Sequence, residues 1–136
     1  MTEYGKKAGE LFESGYNCAQ SVAGAFAEDF GASLDMVTQI ASSFGGGIAG
    51  RREMCGAVSG MLIAIGLAKG DYDKSAPEAK QAHYTLCRKA MESFEEKLGT
   101  LICLIRLEMN KTGERNVHTC REICEIAADI VAEIIG

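Results

Sequence analysis

The sequence predicts an all-α protein: a single compact bundle of six or seven helices, with residues 1–136 forming one domain. Apolar residues recur at helical spacing along most of the chain, and no segment shows the strict alternation or hairpin turns of β-strands. Capping residues and glycines divide this pattern at short intervals. The length suits one domain with its own core, and no internal repeat or linker interrupts it.

Three helices are predicted in the first third of the chain. The first spans residues 2–13, where the apolar positions follow a helical period. Asn17 suits the N-cap of a second helix, which we expect to stop at Gly31. Ser33 suits the N-cap of a third, which ends at the glycines of positions 45–47.

Four further helices follow the glycine-rich loop. The fourth is predicted over residues 51–69, ahead of a glycine and an aspartate. A capping box at residues 75–78, with proline in the opening turn, begins the fifth. Thr100 caps a short sixth helix over residues 101–108, and Asn116 caps the last helix.

Composition and charge narrow the class of protein. The 19 acidic residues outnumber the 14 basic ones, and the net charge of -5 argues against nucleic acid or an anionic membrane as the main partner. The charged N-terminus lacks the features of a signal peptide. The longest apolar run, residues 61–68, is far shorter than the roughly 20 residues of a membrane span. We therefore expect a cytoplasmic protein without a membrane span.

Six cysteines in a reducing compartment indicate metal binding, redox chemistry or simple packing. Four lie within about the first turn of a predicted helix: Cys18, Cys55, Cys103 and Cys120. The positive end of a helix dipole favours the thiolate and lowers the pKa of a cysteine placed there. Arg51 and Arg52 add positive potential just before Cys55, which makes Cys55 the best single candidate for a reactive thiol.

The remaining cysteines and the histidines give weaker signals. Cys87 and Cys124 do not lie at helix starts, and a free cysteine often packs simply as a small apolar residue. Cys120 and Cys124 share one helical face about 5 to 6 Å apart at Cβ, too far for a disulfide but close enough to bind one metal ion. His118 is a conceivable further ligand. No Cys-x-x-Cys pair is present.

The glycines favour packing over nucleotide binding. Residues 45–50 fit the pattern G-x-G-x-x-G, but a helix and not a strand precedes them, so we predict no nucleotide cofactor. A glycine loop before a helix can still bind an anion, aided by Arg51 and Arg52. The spacing of Gly56 and Gly60 predicts a face that packs closely against another helix.

Several of these motifs together resemble the C_GCAxxG_C_C family of bacterial and archaeal proteins. They are Asn17-Cys18-Ala19-Gln20, the run Cys55-Gly56-Ala57-Val58-Ser59-Gly60, Cys103, and His118-Thr119-Cys120. The resemblance covers nearly the whole chain and implies redox activity. It also implies that Cys18, Cys55, Cys103 and Cys120 are the functional cysteines. The chain has Met54-Cys55-Gly56-Ala57 where the family label reads Gly-Cys-Ala.

The leading hypothesis is a redox protein, with electron transfer among its roles, in which the four thiols act as a dithiol/disulfide couple or bind an iron-sulfur cluster. The alternative is a non-enzymatic binding or regulatory module with a zinc site of four thiolates, or with cysteines that only fill the core. The expected cofactor-binding positions are Gly56, Ala57, Gly60, Arg51 and Arg52. The redox partner, the substrate and whether the chain forms a homo-oligomer stay open.

Overall fold

Seven α-helices account for most of residues 1–112 and 118–136, which are the residues described by the computed structural model. The helices are α1 (Glu3–Glu13), α2 (Cys18–Gly24), α3 (Leu34–Ala41), α4 (Gly56–Lys69), α5 (Pro77–Leu98), α6 (Cys103–Thr112) and α7 (Cys120–Ile135). Within the described residues, the β-type pairing is an isolated antiparallel bridge between Met54 and Ile102. The predicted all-α class is confirmed.

Two of the helix starts are fixed by complete capping boxes. At α2, the Asn17 side chain accepts a hydrogen bond from the Gln20 amide, and the Gln20 side chain accepts one from the Asn17 amide. Thr119 and Glu122 make the same reciprocal pair at α7. Each box satisfies amide donors that a helix start leaves open. Both helices therefore begin at a defined residue, and in both that residue is a cysteine.

The hydrophobic core lies between α4, α7 and the helices that pack against them. Contacts are most extensive between α1 and α7 and between α2 and α4. Phe26, Met61, Phe94 and Ile130 are among the largest fully buried side chains. Helix α4 is apolar on nearly all sides, as expected for a helix surrounded by others. No helix in the described part of the chain is long and apolar enough to cross a membrane.

Three of the predicted boundaries in the first half were wrong. The second helix ends at Gly24 and not at Gly31, because the chain turns through residues 25–27 into a short 3-10 turn. The third helix ends at Ala41, and Ser42–Phe44 form a 3-10 turn before the glycines. The fourth helix begins at Gly56 and not near position 51, and within its expected first turn Arg52 has a positive φ that a helix does not allow.

Three predictions in the second half also need correction. The N-cap of α5 is Ala76, which has no side chain to cap the helix, while the Ser75 hydroxyl donates to Asp73 instead. The sixth helix begins at Cys103 and not at residue 101, because residue 102 pairs with residue 54, and it continues to Thr112 and not only to residue 108. The last helix is capped by Thr119. The proposed cap Asn116 lies outside the described residues.

Close packing between α2 and α4 depends on Gly60. A Cβ atom there would lie 2.8 Å from the Ala19 carbonyl oxygen and 2.9 Å from the Val22 Cβ. We expect Gly60→Ala to lower the free energy of unfolding by about 1 to 3 kcal/mol, because α2 must move away. Chemical denaturation followed by circular dichroism measures the change.

Gly66→Ala on the same helix is the matched control. No atom lies within 4 Å of a Cβ atom at that position. Because alanine favours helix over glycine, this variant should gain roughly 0.5 to 1 kcal/mol of stability. Equal stability changes in the two variants would contradict a packing role for Gly60.

Candidate functional site

Each of the four cysteines singled out from the sequence lies at the start of a helix. Cys18, Cys103 and Cys120 are the first residues of α2, α6 and α7, and Cys55 is the N-cap residue of α4. This part of the sequence prediction is confirmed. The backbone amides of Ala57 and Val58, in the first turn of α4, lower the pKa of Cys55, although the Cys55 side chain makes no capping hydrogen bond.

The glycine-rich loop before Cys55 follows an unusual backbone path. Its left-handed residues are Gly46, Gly47, Ile48, Ala49, Gly50 and Arg52. Positive φ in a β-branched residue such as Ile48 is uncommon and costs energy. A Cβ atom at Gly47 would lie 2.7 Å from the Arg52 Cα and 2.8 Å from the Cys103 Cβ. The loop backbone can therefore approach Cys103 only because residue 47 is glycine.

A short antiparallel pairing holds Cys55 and Cys103 close together. The Cys55 amide donates to the Leu101 carbonyl at 2.8 Å, and the Cys103 amide donates to the Glu53 carbonyl at 2.7 Å. The two cysteines are thus diagonal neighbours across the bridge. Diagonal Cα atoms in such pairs are typically about 7 to 8 Å apart. Because disulfides need Cα atoms about 4.4 to 6.8 Å apart, this pair is not arranged to form one directly.

Cys18 is the centre of a second group of thiols. Its thiol lies near those of Cys120 and Cys124, which are one turn apart on α7, and both neighbours shift the pKa of Cys18. Cys120 is exposed, Cys18 is half-buried and Cys124 is fully buried. The sequence placed Cys124 one turn from Cys120, close enough to share a metal ion, but outside the family's four cysteines. It did not indicate that Cys124 would lie near Cys18.

One cavity of about 220 Å³ joins the two groups. All four cysteines from the helix starts line it, together with the glycines at 46, 47 and 56. Arg52 and Arg106 also line it, and the Arg52 Nη1 atom lies 3.8 Å from the Cys103 sulfur. Arg106 is buried, with 4% of its surface exposed. It was missed from the sequence, although it lies three residues after Cys103.

Burial and neighbouring thiols raise the pKa values at the site. The pKa of Cys55 is raised mainly by burial, which outweighs the amides of Ala57 and Val58. The pKa of Cys120 is raised by its hydrogen bond with Cys18 and by burial, while the charge of Arg52 lowers it.

Neighbouring groups shift the pKa of Cys18 in opposite directions. Its contact with Cys120 favours the thiolate, but its contact with Cys124, burial and the charges of Cys124 and Cys55 together raise the pKa of Cys18. The prediction of lowered pKa values at these helix starts was therefore wrong for Cys18, Cys55 and Cys120.

The other expected site residues lie elsewhere. Arg51 pairs with Glu53 at 2.7 Å on the surface and does not line the cavity. Ala57 and Gly60 are buried in the packing of α4. Neither Cys87 nor His118 lines the cavity. Within residues 1–112 and 118–136, no group of three or more histidine, cysteine or acidic side chains is arranged to hold a metal ion.

The fold and the site together define a small all-helical protein with cysteine thiols gathered around one cavity. The C_GCAxxG_C_C family, described as a putative redox-active protein, matches residues 16–134 of the 136. The chain belongs to this family. Comparisons with curated proteins and with solved structures give no match.

The raised pKa of Cys120 predicts slow reaction at neutral pH. Because only the thiolate attacks iodoacetamide, the alkylation rate of Cys120 should keep rising as the pH increases through 9. Peptide mass spectrometry after timed alkylation measures the rate. A rate that levels off below pH 8 would contradict the raised pKa.

Arg52 should speed this reaction. Its charge lowers the pKa of Cys120, so Arg52→Gln should slow alkylation of Cys120 at pH 8 by roughly threefold at low salt. Arg51→Gln is the control, since Arg51 lies on the surface beside Glu53. Equal slowing in both variants would show a general charge effect and not a specific effect of Arg52.

Proposed function

We propose that this protein is a thiol–disulfide oxidoreductase whose reacting pair is Cys18 and Cys120. The observation that carries the proposal is that both thiols line the shared cavity near each other, where each raises or lowers the pKa of the other. A disulfide between them requires an S–S distance of about 2.05 Å. Cys55 and Cys103 are diagonal neighbours across the bridge, where Cα atoms are typically about 7 to 8 Å apart, which disfavours a direct disulfide between them.

Cys120 is the thiol that meets the substrate first, because it is the exposed member of the pair. Its thiolate attacks one sulfur of a substrate disulfide, which forms a mixed disulfide and releases one substrate thiolate. Arg52 favours the Cys120 thiolate that this step requires.

Cys18 completes the exchange. Its thiolate attacks the Cys120 sulfur, forming the Cys18–Cys120 disulfide and releasing the second substrate thiolate. Two electrons pass from the protein dithiol to the substrate disulfide, and the protons of the two cysteine thiols end on the two released thiols. A dithiol reductant reverses both steps.

Metal ligation is the second candidate. Four cysteine thiols around one cavity are a common ligand set for an iron-sulfur cluster or for zinc. Cys18, Cys55, Cys103 and Cys120 would hold the metal, after side-chain rearrangement. Bound metal would supply electron transfer in the case of a cluster, or structural support in the case of zinc.

Reaction with a dipyridyl disulfide tests the dithiol couple, since the released pyridine thione absorbs light. We expect one equivalent to oxidise two of the six thiols and to release two thiones per chain. Cys120→Ala should slow the release at least roughly tenfold, because the accessible thiol is lost. Cys18→Ala should release one thione and retain the mixed disulfide on Cys120.

Cys87→Ala is the control, since Cys87 does not line the cavity, and it should react as the unmodified protein does. Thione release that is unchanged in both the Cys18 and the Cys120 variants would overturn the proposal. Anaerobic purification with metal analysis tests the second candidate. Stoichiometric iron or zinc that is lost in Cys55→Ala would favour metal ligation over the dithiol couple.

A further inference from the structure

The thiol of Cys124 has no place in the four-cysteine pattern, yet it contacts the centre of the site. It lies one turn after Cys120 on α7 and is fully buried. Cys18 packs against the core cluster that contains Cys124, and Cys124 raises the pKa of Cys18 at short range. Helix α2 packs against α7, so this contact belongs to an established helix interface.

Three thiols allow three disulfide pairings, and the helix excludes one of them. Cys120 and Cys124 are four residues apart on a regular helix, where Cβ atoms lie about 5 to 6 Å apart and a disulfide does not fit. Cys18 is therefore the common partner of the other two. It can pair with an exposed thiol or with a buried one.

We propose that Cys124 is a third redox thiol, which takes over the disulfide from Cys120 and stores it in the core as Cys18–Cys124. This inference rests on the proposed dithiol function. The Cys124 thiolate attacks the Cys18 sulfur of the Cys18–Cys120 disulfide. The S–S bond to Cys120 breaks, and Cys120 leaves as a thiolate that takes up the proton released by Cys124. The exchange is internal and needs no further oxidant.

Burial favours the Cys18–Cys124 disulfide over the Cys18–Cys120 disulfide. A disulfide has no polar hydrogen, so it suits the fully buried position of Cys124 better than a thiol does. The same exchange leaves the exposed Cys120 as a free thiol. External reductants reach a disulfide in the core less easily than one at the surface. The protein would then hold one oxidised pair in its interior while its entry thiol is reduced again.

Disulfide mapping after oxidation with one equivalent of dipyridyl disulfide tests the proposal. Trypsin cuts after Arg121, so Cys120 and Cys124 fall on separate peptides. We expect a Cys18–Cys120 link in samples quenched early with acid, and mainly a Cys18–Cys124 link at equilibrium. Cys124→Ala should retain the Cys18–Cys120 link, and a dithiol should reduce it roughly tenfold faster than the link of the unmodified protein.

Cys87→Ala is the matched control for loss of a cysteine outside the site and should give the same links as the unmodified protein. Circular dichroism and thermal melting check that Cys124→Ala is folded. If it is not, Cys124→Val takes its place. A stable Cys18–Cys120 link at equilibrium in the unmodified protein would overturn the role of Cys124 and leave the proposed function standing. The absence of any link to Cys18 would overturn both.

Discussion

The convergence of four helix N-termini on one cavity is the constraint on which the rest of the structure depends. A helix start carries unpaired amide donors and about half a positive charge, so four starts close together repel one another unless something polarizable lies between them. Sulfur is suited to that position, because a thiol accepts weak hydrogen bonds and a thiolate neutralises charge. At α4 the amides of Ala57 and Val58 favour the thiolate of Cys55. The capping boxes satisfy part of the same demand at α2 and α7.

Burial opposes the helix dipoles, and at this site burial prevails. The pKa values of Cys18, Cys55 and Cys120 are all raised, which favours the thiol form of these three cysteines. A thiolate formed on one of them is stabilised by its neighbours' S–H groups, whereas a second one is opposed by the first. The site is therefore suited to one thiolate at a time. Successive thiol–disulfide exchange steps need only one thiolate at a time. A metal ion, by contrast, would have to displace the protons of several thiols at once to bind there.

The starts of α2 and α3 could be predicted from the sequence because their capping signals are local. A cap residue next to a cysteine, as at Asn17 and Cys18, can be identified from neighbouring residues in the sequence. The signs of the pKa shifts could not be read in this way, because burial and thiol contacts depend on which helices pack together. The start of α4 was missed for a related reason. The left-handed path through Ile48 and Arg52 is imposed by tertiary contacts against the local preference of these residues.

The element Cys55-Gly56-Ala57-Val58-Ser59-Gly60 acts through packing. Gly56 and Gly60 lie one turn apart on the same face of α4 and meet α2 at successive points. A Cβ atom at Gly56 would lie 3.3 Å from the Cys18 Cβ, and one at Gly60 would lie 2.8 Å from the Ala19 carbonyl oxygen. A side chain at Gly60 would force α2 to shift, and one at Gly56 would crowd Cys18 and the Phe44 carbonyl. The glycines therefore set how closely Cys18 on α2 approaches Cys55 at the start of α4. Their spacing after Cys55 serves this packing and not the binding of a nucleotide.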